Sequence, residues 1–340
     1  MQKEITIYDL AKALQLSAAT VSRALQNHPS INKKTRERIV AMAEQMGYRS
    51  NRFASNLRKS KTNTIGVIIP RLNSQFVATA LAGMEKVASE AGYNILVSQS
   101  MESAAREIAN TKTMFDNRVD GLLVSLAYNT GSMEHFEKFI SRGIPVIFFD
   151  RVADNDQCLR IVINNYQNAY DITAHLLQQG CRRIVHITGN LTRNVYAERY
   201  HGYTAALQDA GLIPDTQLLL SGELNETAGM EAATAILQMD PLPDGIFCAN
   251  DVCTASCMHL LKKNGIRVPE DIAMAGFNND AIARLVEPNL TTVNYPAYQM
   301  GEVAASTLIQ HLAGVLPISG TDTIVLPSEL IIRDSSLRKQ

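Results

Sequence analysis

The stretch SAATVSRAL, residues 17–25, has the pattern of a short amphipathic helix. Ser17 can cap this helix, because its hydroxyl can accept a hydrogen bond from a backbone N–H of the first turn. Val21, Ala24 and Leu25 recur at helical spacing, so we expect one face to be buried. Ala18, Ala19 and Arg23 are then expected to be exposed.

Two further helices are predicted on either side of this stretch. Thr6 can cap the first, with Asp9 three residues later as an Asp variant of the capping box. Asn32 can cap the third, and Gly47 can end it at the left-handed C′ position. Two short helices joined by a tight turn and backed by a third form a helix-turn-helix, whose second helix enters the major groove of DNA. The alternative is an ordinary three-helix bundle.

The candidate DNA contacts lie on the second helix and at the helix starts. Arg23 can donate two hydrogen bonds to guanine, worth about 1–3 kcal/mol of discrimination. Ala18 and Ala19 offer only methyl contacts, for example to thymine. Hydroxyl and amide groups are suited to hold phosphate oxygens. The side chains predicted to do so are Thr6, Ser17, Thr20, Ser22, Asn27 and Asn32.

The charge of the chain is divided unevenly along its 340 residues. Residues 1–61 contain 12 Lys and Arg against four acids, whereas the remaining 279 residues contain 20 basic and 29 acidic groups. A small basic module joined to a large acidic one suggests a polyanion-binding head, although a solvated basic face is the alternative.

The composition excludes several classes of protein. The apolar fraction of 46% argues against disorder and collagen-like repeats. The sequence has no run of about 18 apolar residues and no signal-peptide pattern, so we expect a cytoplasmic protein without a membrane partner. Five cysteines without a CxxC pair are typical of reduced thiols.

The segment NRFASNLR, residues 51–58, is basic and amphipathic but too short to form a stable helix alone. It could fold when two copies pack together on DNA, with Leu57 as a wedge in the minor groove. We therefore predict DNA contacts from Asn51, Ala54 and Leu57, and a hinge and linker over residues 50–61. Residues 1–49 then form the DNA-binding head, and residues 62–340 form the body.

Strand-like and helix-like stretches alternate through the body, which predicts an α/β fold with two doubly wound parallel-sheet lobes and a cleft between them. One of the predicted helices ends near Arg142. In such sheets a ligand binds at the carboxyl ends of the strands. This rule selects Asn73, Gln75, Phe76, Ser98, Ser125, Asp150, Arg151, Asn190, Asn250, Asp251 and Asn278. Many of them suit the hydroxyls of a polyol, although Asp and Asn after strands are also common helix caps and turn residues.

Several ordered motifs carry a resemblance to a known family. In the head they are TIYDLA (6–11), SAATVSRAL (17–25), TRERI (35–39) and GY (47–48). In the body they include IGVI (65–68), DGLLV (120–124), RYHGY (199–203), AGF (275–277) and LTTV (290–293). Together they resemble the lactose-repressor (LacI/GalR) family over essentially the whole chain. The sequence departs from the family pattern at Gln15, Ser50 and Ser55, and at Asn278, where the family commonly has aspartate.

The resemblance implies a fold, a function and roles for particular residues. The lobes would be of periplasmic-binding-protein type, with the first over about 62–161 and 292–322 and the second over about 162–291 and 323–340. The chain would cross between them near 161–163, 291–294 and 322. Arg199 would hold a ligand from the second lobe, opposite Asp150 and Arg151. The function implied is transcriptional repression at a double-stranded DNA operator by a homodimer, controlled by a small molecule such as a sugar or sugar derivative; a tetramer stays open.

Other chemistry has little support in the sequence. No nucleotide-binding or hydrolase motif is present, and the seven histidines show no metal spacing. Cys253 and Cys257, with Cys248 nearby, could bind a soft metal, but buried apolar packing is favoured. His186 lies in an apolar strand and is predicted to be a core residue. A solute-binding protein and an enzyme using cleft carboxylates are the alternative functions; we expect neither catalysis nor a cofactor.

Overall fold

The computed structural model describes residues 5–48, 61–153, 157–318 and 322–338. The chain divides into two units, Met1–Thr62 and Asn63–Gln340. The smaller unit is called the head and the larger one the body. The predicted hinge contacts Asn51, Ala54 and Leu57 lie outside the described residues.

The head contains three helices, α1 (Ile7–Leu14), α2 (Ala18–Leu25) and α3 (Lys33–Met46). Leu10, Leu14, Val21 and Ile39 are at most 1% exposed and form its core. The three helices therefore share one apolar core, and the predicted helix-turn-helix fold is confirmed.

The predicted caps are present at the start of each head helix. The hydroxyl of Thr6 accepts from the backbone N–H of Asp9, whose carboxylate accepts from the N–H of Thr6 at 2.9 Å, which completes a capping box. Ser17 Oγ accepts from the N–H of Thr20 at 3.1 Å, and the side chain of Asn32 caps α3 in the same way. Because these bonds join residues three apart, each helix start is set locally.

The body follows in chain order as strands and helices. Its first part contains β1 (Thr64–Ile69), α4 (Gln75–Glu90), β2 (Asn94–Gln99), α5 (Ala104–Asp116), β3 (Gly121–Val124), α6 (Glu137–Ile140), β4 (Val146–Phe149) and β5 (Leu159–Ile163). Its middle part contains α7 (Asn165–Gln178), β6 (Ile184–Thr188), α8 (Asn194–Asp209), β7 (Leu219–Ser221), α9 (Glu226–Ile236), β8 (Gly245–Cys248), α10 (Asp251–Lys263) and β9 (Ala273–Ala275). Its last part contains β10 (Thr292–Asn294), α11 (Ala297–Leu312), β11 (Thr323–Leu326) and β12 (Glu329–Ile331).

These strands form two parallel sheets, one in each lobe. The first lobe has the strand order β11-β5-β4-β3-β1-β2, and the second has the order β7-β6-β8-β9. A short antiparallel pair, β10 and β12, accompanies the chain between the lobes. Two lobes of parallel sheet were predicted, and this fold class is confirmed.

The structure corrects two details of the sequence analysis. Residues from 323 onward were assigned to the second lobe, but β11 pairs with β5 in the first sheet, so the third crossing follows Leu326 instead of lying near 322. This pairing covers an edge of β5 that would otherwise leave backbone groups unpaired. The helix expected to end near Arg142 is only the short α6, because Glu107 accepts hydrogen bonds from the N–H of Ala127 and the hydroxyl of Thr130 and fixes the preceding loop.

Each lobe contains a helix pair that approaches closely at a glycine. A Cβ at Gly301 of α11 would lie 1.9 Å from the carbonyl oxygen of Ala80 on α4. A Cβ at Gly202 of α8 would lie 2.1 Å from the carbonyl oxygen of Tyr166 on α7. These contacts leave no room for a side chain, so the helix pairs depend on glycine at both positions.

The remaining composition-based expectations concern metals, thiols and membranes. All five cysteines are free and buried. Burial of Cys253 and Cys257 agrees with the prediction that they pack as apolar residues. Within the described ranges no group of three or more His, Cys, Asp or Glu side chains is placed to hold a metal. None of the helices described has the length and apolarity needed to cross a bilayer.

Candidate functional site

The exposed face of α2 presents a small set of side chains to solvent. Ala19 and Arg23 are exposed, whereas Ala18, Thr20 and Ser22 are half-buried. Val21 and Ala24 on the opposite face hold the helix against the core. The arrangement leaves the long Arg23 side chain able to reach a base edge.

Several of the polar groups predicted to hold phosphate already have partners within the head. The hydroxyls of Thr6 and Ser17 are used in capping, and Ser17 also bonds the hydroxyl of Thr20 at 2.8 Å. The side-chain oxygen of Asn27 accepts from Arg36. Contacts to phosphate from these positions would therefore use the amide N–H groups or the helix N-termini. Tyr8, which the sequence analysis did not select, is 74% exposed on α1; it lies off the apolar stripe, which was the available signal.

A cavity of about 470 Å³ lies between the two lobes of the body. Eight of the twelve predicted ligand residues line it, and they come from both lobes. These eight are Asn73, Gln75, Phe76, Asp150, Arg151, Arg199, Asn250 and Asn278. We call this cavity the main cleft.

Four predicted ligand residues do not line the main cleft. Ser98 lies within β2 and not beyond its end. Ser125 is fully buried and donates to Asp150 Oδ2 at 3.2 Å. Asn190 donates to the carbonyl of Tyr128 at 3.0 Å and joins the two lobes. Asp251 lies behind the cleft surface. None of these four residues lines the main cleft.

Asp251 is fully buried where β10 meets the second lobe. Its carboxylate accepts from the hydroxyl of Thr292 at 2.7 Å and from the N–H of Asp280 at 2.8 Å. Burial raises the pKa of Asp251 to about 7 in spite of these bonds. This carboxyl group therefore anchors the crossing strand to the loop that carries Asn278.

Arg199 is a buried guanidinium on the floor of the main cleft. It donates to the side chain of Asn165 at 2.9 Å and to the carbonyl of Ala249 at 3.0 Å, and its guanidinium carbon lies 3.6 Å from the ring centre of Phe277. None of its hydrogen bonds within the described residues goes to a carboxylate. Burial lowers the pKa of Arg199. Because an arginine stays charged at neutral pH, this group is suited to acceptor atoms of a ligand.

Asp150 faces the cleft from the end of β4. Its Oδ1 accepts from the hydroxyl of Tyr295 at 2.9 Å, and the side chain is only 8% exposed. Burial, followed by the nearby Asp150 charge, raises the pKa of Tyr295 well above its usual value, so this hydroxyl stays protonated. A carboxylate held in this way keeps lone pairs that can accept from a ligand hydroxyl.

Arg151, in contrast to Arg199, is paired with a carboxylate of the protein. It donates to both carboxylate oxygens of Glu102, at 2.7 and 3.0 Å, and to the hydroxyl of Tyr196 at 3.0 Å. Its guanidinium also stacks on the ring of Tyr128, 4.4 Å from the centroid. Arg151 therefore joins one lobe to the other through Tyr196.

Two further contacts join the lobes. Arg71 of the first lobe bonds Glu223 of the second at 2.9 Å, and Arg193 donates to the carbonyl of Thr130 at 2.7 Å. The lining also contains residues that were not predicted from the sequence, among them Glu102, Tyr128, Tyr196, Glu223, Asp280 and Tyr295. Glu102 and Tyr295 come shortly after strands, so the strand-end rule could have found them; Tyr196 is on a helix and carried no such signal.

A helix-turn-helix head on a two-lobed body with a polar cavity defines the class of ligand-responsive DNA-binding regulators. Residues 6–51 match the family model described as bacterial regulatory proteins, lacI family. Residues 173–336 match the model of a periplasmic binding protein-like domain.

Comparison with whole proteins extends this match over the chain. It is 31% identical to catabolite control protein A of Priestia megaterium, over 91% of this chain and 92% of that protein. The structure of the transcriptional regulator CelR–cellobiose complex is 25% identical, with a TM-score of 0.74 over 98% of this chain and 100% of that one. The lac repressor dimer bound to operator and the anti-inducer ONPF shares the fold, with a TM-score of 0.86 at 22% identity over 99% of this chain and 100% of that one.

The chain belongs to the lacI family of bacterial regulatory proteins. It is a DNA-binding transcriptional regulator, and its body is an effector-binding domain of the periplasmic-binding-protein type.

Proposed function

We propose that this regulator is a cytoplasmic repressor that binds its operator as a homodimer and is controlled by a sugar or sugar derivative in the main cleft. The observation that carries the proposal is the pair formed by Arg199 and Asp150. Arg199 supplies N–H donors and bonds no carboxylate of the described residues. Asp150 supplies an acceptor that the hydroxyl of Tyr295 holds in place.

The chemistry of the cleft suits a ring that carries several hydroxyl groups. Each hydroxyl can donate once and accept twice, so it can bond a carboxylate such as Asp150 and a guanidinium such as Arg199. The amides of Asn250 and Asn278 line the same cavity and can do both. Phe76 presents an aromatic ring to the same space. The cellobiose bound to the similar regulator CelR supports this ligand class.

The head is proposed to read DNA through α2. Arg23 and Ala19 would face base edges, while the amides of Asn27 and Asn32 and the helix starts would contact phosphates. Two heads in a dimer would then match two half-sites of a pseudo-palindromic operator. Asn51, Ala54 and Leu57 remain proposed minor-groove contacts.

For a ligand to control this regulator, its binding in the main cleft must change the affinity of the head for DNA. A ligand shifts such an equilibrium only by its difference in affinity for the two states. The contacts between the lobes, such as the Arg71–Glu223 pair, are candidates for what differs. We propose that occupancy of the main cleft changes these contacts and thereby the DNA affinity.

The cleft assignment is tested by exchanging Arg199 for alanine. Purified full-length protein is screened with sugars by thermal shift, since a ligand stabilises by RT ln(1 + [L]/Kd). Hydrogen bonds to a charged group are worth roughly 1.5–3 kcal/mol, so Arg199→Ala should weaken sugar binding by about 10- to 100-fold. Operator affinity without sugar should change little.

Arg142→Ala is the matched control, because Arg142 is exposed and stacks on Phe115 away from the cleft. It should leave both affinities unchanged. Sugar binding that survives Arg199→Ala would show that the ligand lies elsewhere. The head is tested separately through the salt dependence of operator binding, where a flat response would contradict phosphate anchoring.

A further inference from the structure

A second cavity, of about 400 Å³, adjoins the main cleft. It lies between the first turns of α4 and α11 and the loop 278–280. Its lining is rich in amides and rings: Gln75, Phe76, Thr79, Asn278, Asn279, Asp280, Asn294, Tyr295, Pro296, Ala297, Tyr298 and Gln299. We call it the side cavity.

Two aromatic rings separate the side cavity from the main cleft. The centroids of Phe76 and Tyr295 lie 4.5 Å apart, and both residues line both cavities. Tyr298, a third ring of the lining, is 41% exposed, and the ammonium of Lys86 lies 5.8 Å from its ring centroid. A group in the side cavity would therefore have aromatic rings among its nearest neighbours.

Asp280 is the acidic residue that the two cavities share. Its side chain is only 7% exposed, and its carboxylate has a single hydrogen bond within the described residues, from the amide of Asn278 at the long distance of 3.5 Å. A buried carboxylate with so little compensation is costly. Burial accordingly raises its pKa to about 6. The Asp280 carboxylate therefore has lone pairs that accept no hydrogen bond from the described residues.

No basic side chain of the described residues bonds this carboxylate. Arg333, which comes close to the same loop, donates to the side chain of Asn279 at 2.7 Å and to the carbonyl of Leu290 at 2.7 Å. Asn279 in turn donates to Asn294 at 3.1 Å. Arg333, Asn279 and Asn294 are thus bonded within their own group, and none of the three donates to the Asp280 carboxylate.

We propose that the side cavity binds an organic ammonium group, with Asp280 as its counter-ion and the rings of Phe76, Tyr295 and Tyr298 around it. A carboxylate beside aromatic faces attracts a cation twice, through its charge and through the ring quadrupoles. The side-chain oxygens of Gln75 and Gln299 can accept its remaining N–H donors. An anionic ligand would be repelled by the same carboxylate.

The amine has two possible sources. It can be the substituent of an amino sugar whose ring occupies the main cleft, in which case the inference rests on the proposed function. It can also be a separate small amine, in which case the inference stands without it. Both sources place a cationic nitrogen beside Asp280.

The test compares amines with amine-free counterparts on the full-length protein. Glucosamine is paired with glucose, galactosamine with galactose, and tyramine with 4-ethylphenol, and each affinity is measured by calorimetry at pH 7.5. At least one amine should bind at least about tenfold more tightly than its counterpart, as expected of a hydrogen-bonded charge pair. Asp280→Asn should remove that advantage.

Two further variants keep the result interpretable. Asp209→Asn changes an exposed carboxylate that bonds Tyr170 and should retain the amine preference. Tyr298→Ala removes a half-exposed ring, so folding should survive, and the amine affinity should fall by about threefold or more. Arg199→Ala should weaken an amino sugar but not tyramine, which separates the two sources.

The proposal is overturned if no amine binds more tightly than its counterpart, or if Asp280→Asn keeps the preference. Failure of the sugar assignment gives a different pattern. In that case Arg199→Ala would leave sugar binding intact, whereas the effect of Asp280→Asn on tyramine would persist.

Discussion

In the head, Ser17 and Thr20 are three residues apart in sequence and share a hydrogen bond that starts α2. In the main cleft, Asp150 and Tyr295 are separated by 145 positions, yet their side-chain oxygens lie 2.9 Å apart. The head thus builds its functional surface from neighbours along the chain, and the body builds its cleft from distant segments. A substitution should therefore act locally in the head and across the whole fold in the body.

The largest effect is expected where two distant helices touch in the body. Gly301→Ala would place a Cβ against the carbonyl oxygen of Ala80, so α4 and α11 must move apart. We expect a loss of more than about 3 kcal/mol in the free energy of unfolding, measured by urea denaturation. Gly131→Ala, where nothing lies within 4 Å, is the control. Equal stability of the two variants would contradict the close helix contact.

The second largest effect is the loss of stability at acid pH that we expect from the buried His186 of the body. His186 is fully buried and bonds the carbonyl of Phe247, and burial lowers its pKa to about 3. Between pH 6.5 and 3 the unfolded chain binds more protons at this position, so stability falls as the pH falls. At pH 4.5 this amounts to about 2–3 kcal/mol relative to pH 7.5.

His186→Phe should remove that part of the acid sensitivity, because Phe can stack on Tyr203 and Phe247 without titrating. The measurement is the difference in unfolding free energy between pH 7.5 and 4.5 for the variant and the parent. An identical difference in both proteins would refute the assignment.

A smaller and more local effect is expected in the head from Arg23→Ala. Loss of a bidentate contact to guanine costs about 1–3 kcal/mol of discrimination. The ratio of the dissociation constants for random duplex and operator should fall accordingly, while sugar binding stays unchanged. Arg38→Ala, an exposed arginine of α3, should weaken both affinities and leave the ratio intact. If Arg38→Ala lowers this ratio as much as Arg23→Ala does, base recognition cannot be assigned to Arg23 specifically.

The smallest effect is expected from Ser17→Ala, which removes one cap. A lost cap costs about 1 kcal/mol. Amide hydrogen exchange in α2 should accelerate severalfold, with no change in the body. Ser74→Ala, the same substitution at the cap of α4, should leave exchange in α2 unaltered. Unchanged exchange after Ser17→Ala would mean that tertiary packing alone fixes this helix.

Features that depend on near neighbours in the chain were predictable from the sequence, and features that depend on distant segments were not. Thr6, Ser17 and Asn32 were predicted as caps from their residue types just before helical apolar patterns, and all three caps are present. The strand-end rule placed Asp150 and Asn250 beside the cleft, because a buried apolar strand ends visibly in sequence. The rule also selected Ser98, which is still inside its strand.

Other features of the cleft carried no signal in sequence. Asn190 follows a strand as Asn250 does, but it bonds the backbone of Tyr128 instead of lining the cavity. Asp280 comes two residues after Asn278, and its isolation in the side cavity depends on how Tyr295 and Tyr298 pack around it. How fully each polar residue is hydrogen-bonded depends on neighbours that sequence spacing does not reveal.

Local sequence signals were enough to predict the three head helices, their starts and the alternation of strands and helices in the body, because caps, turns and apolar periodicity act between near neighbours. Contacts between distant segments were needed to show that β11 completes the first sheet, that Arg151 but not Arg199 bonds a carboxylate, and that Asp280 lines a second cavity. These features depend on contacts between segments that are far apart in the chain. Such contacts form only when both lobes have folded.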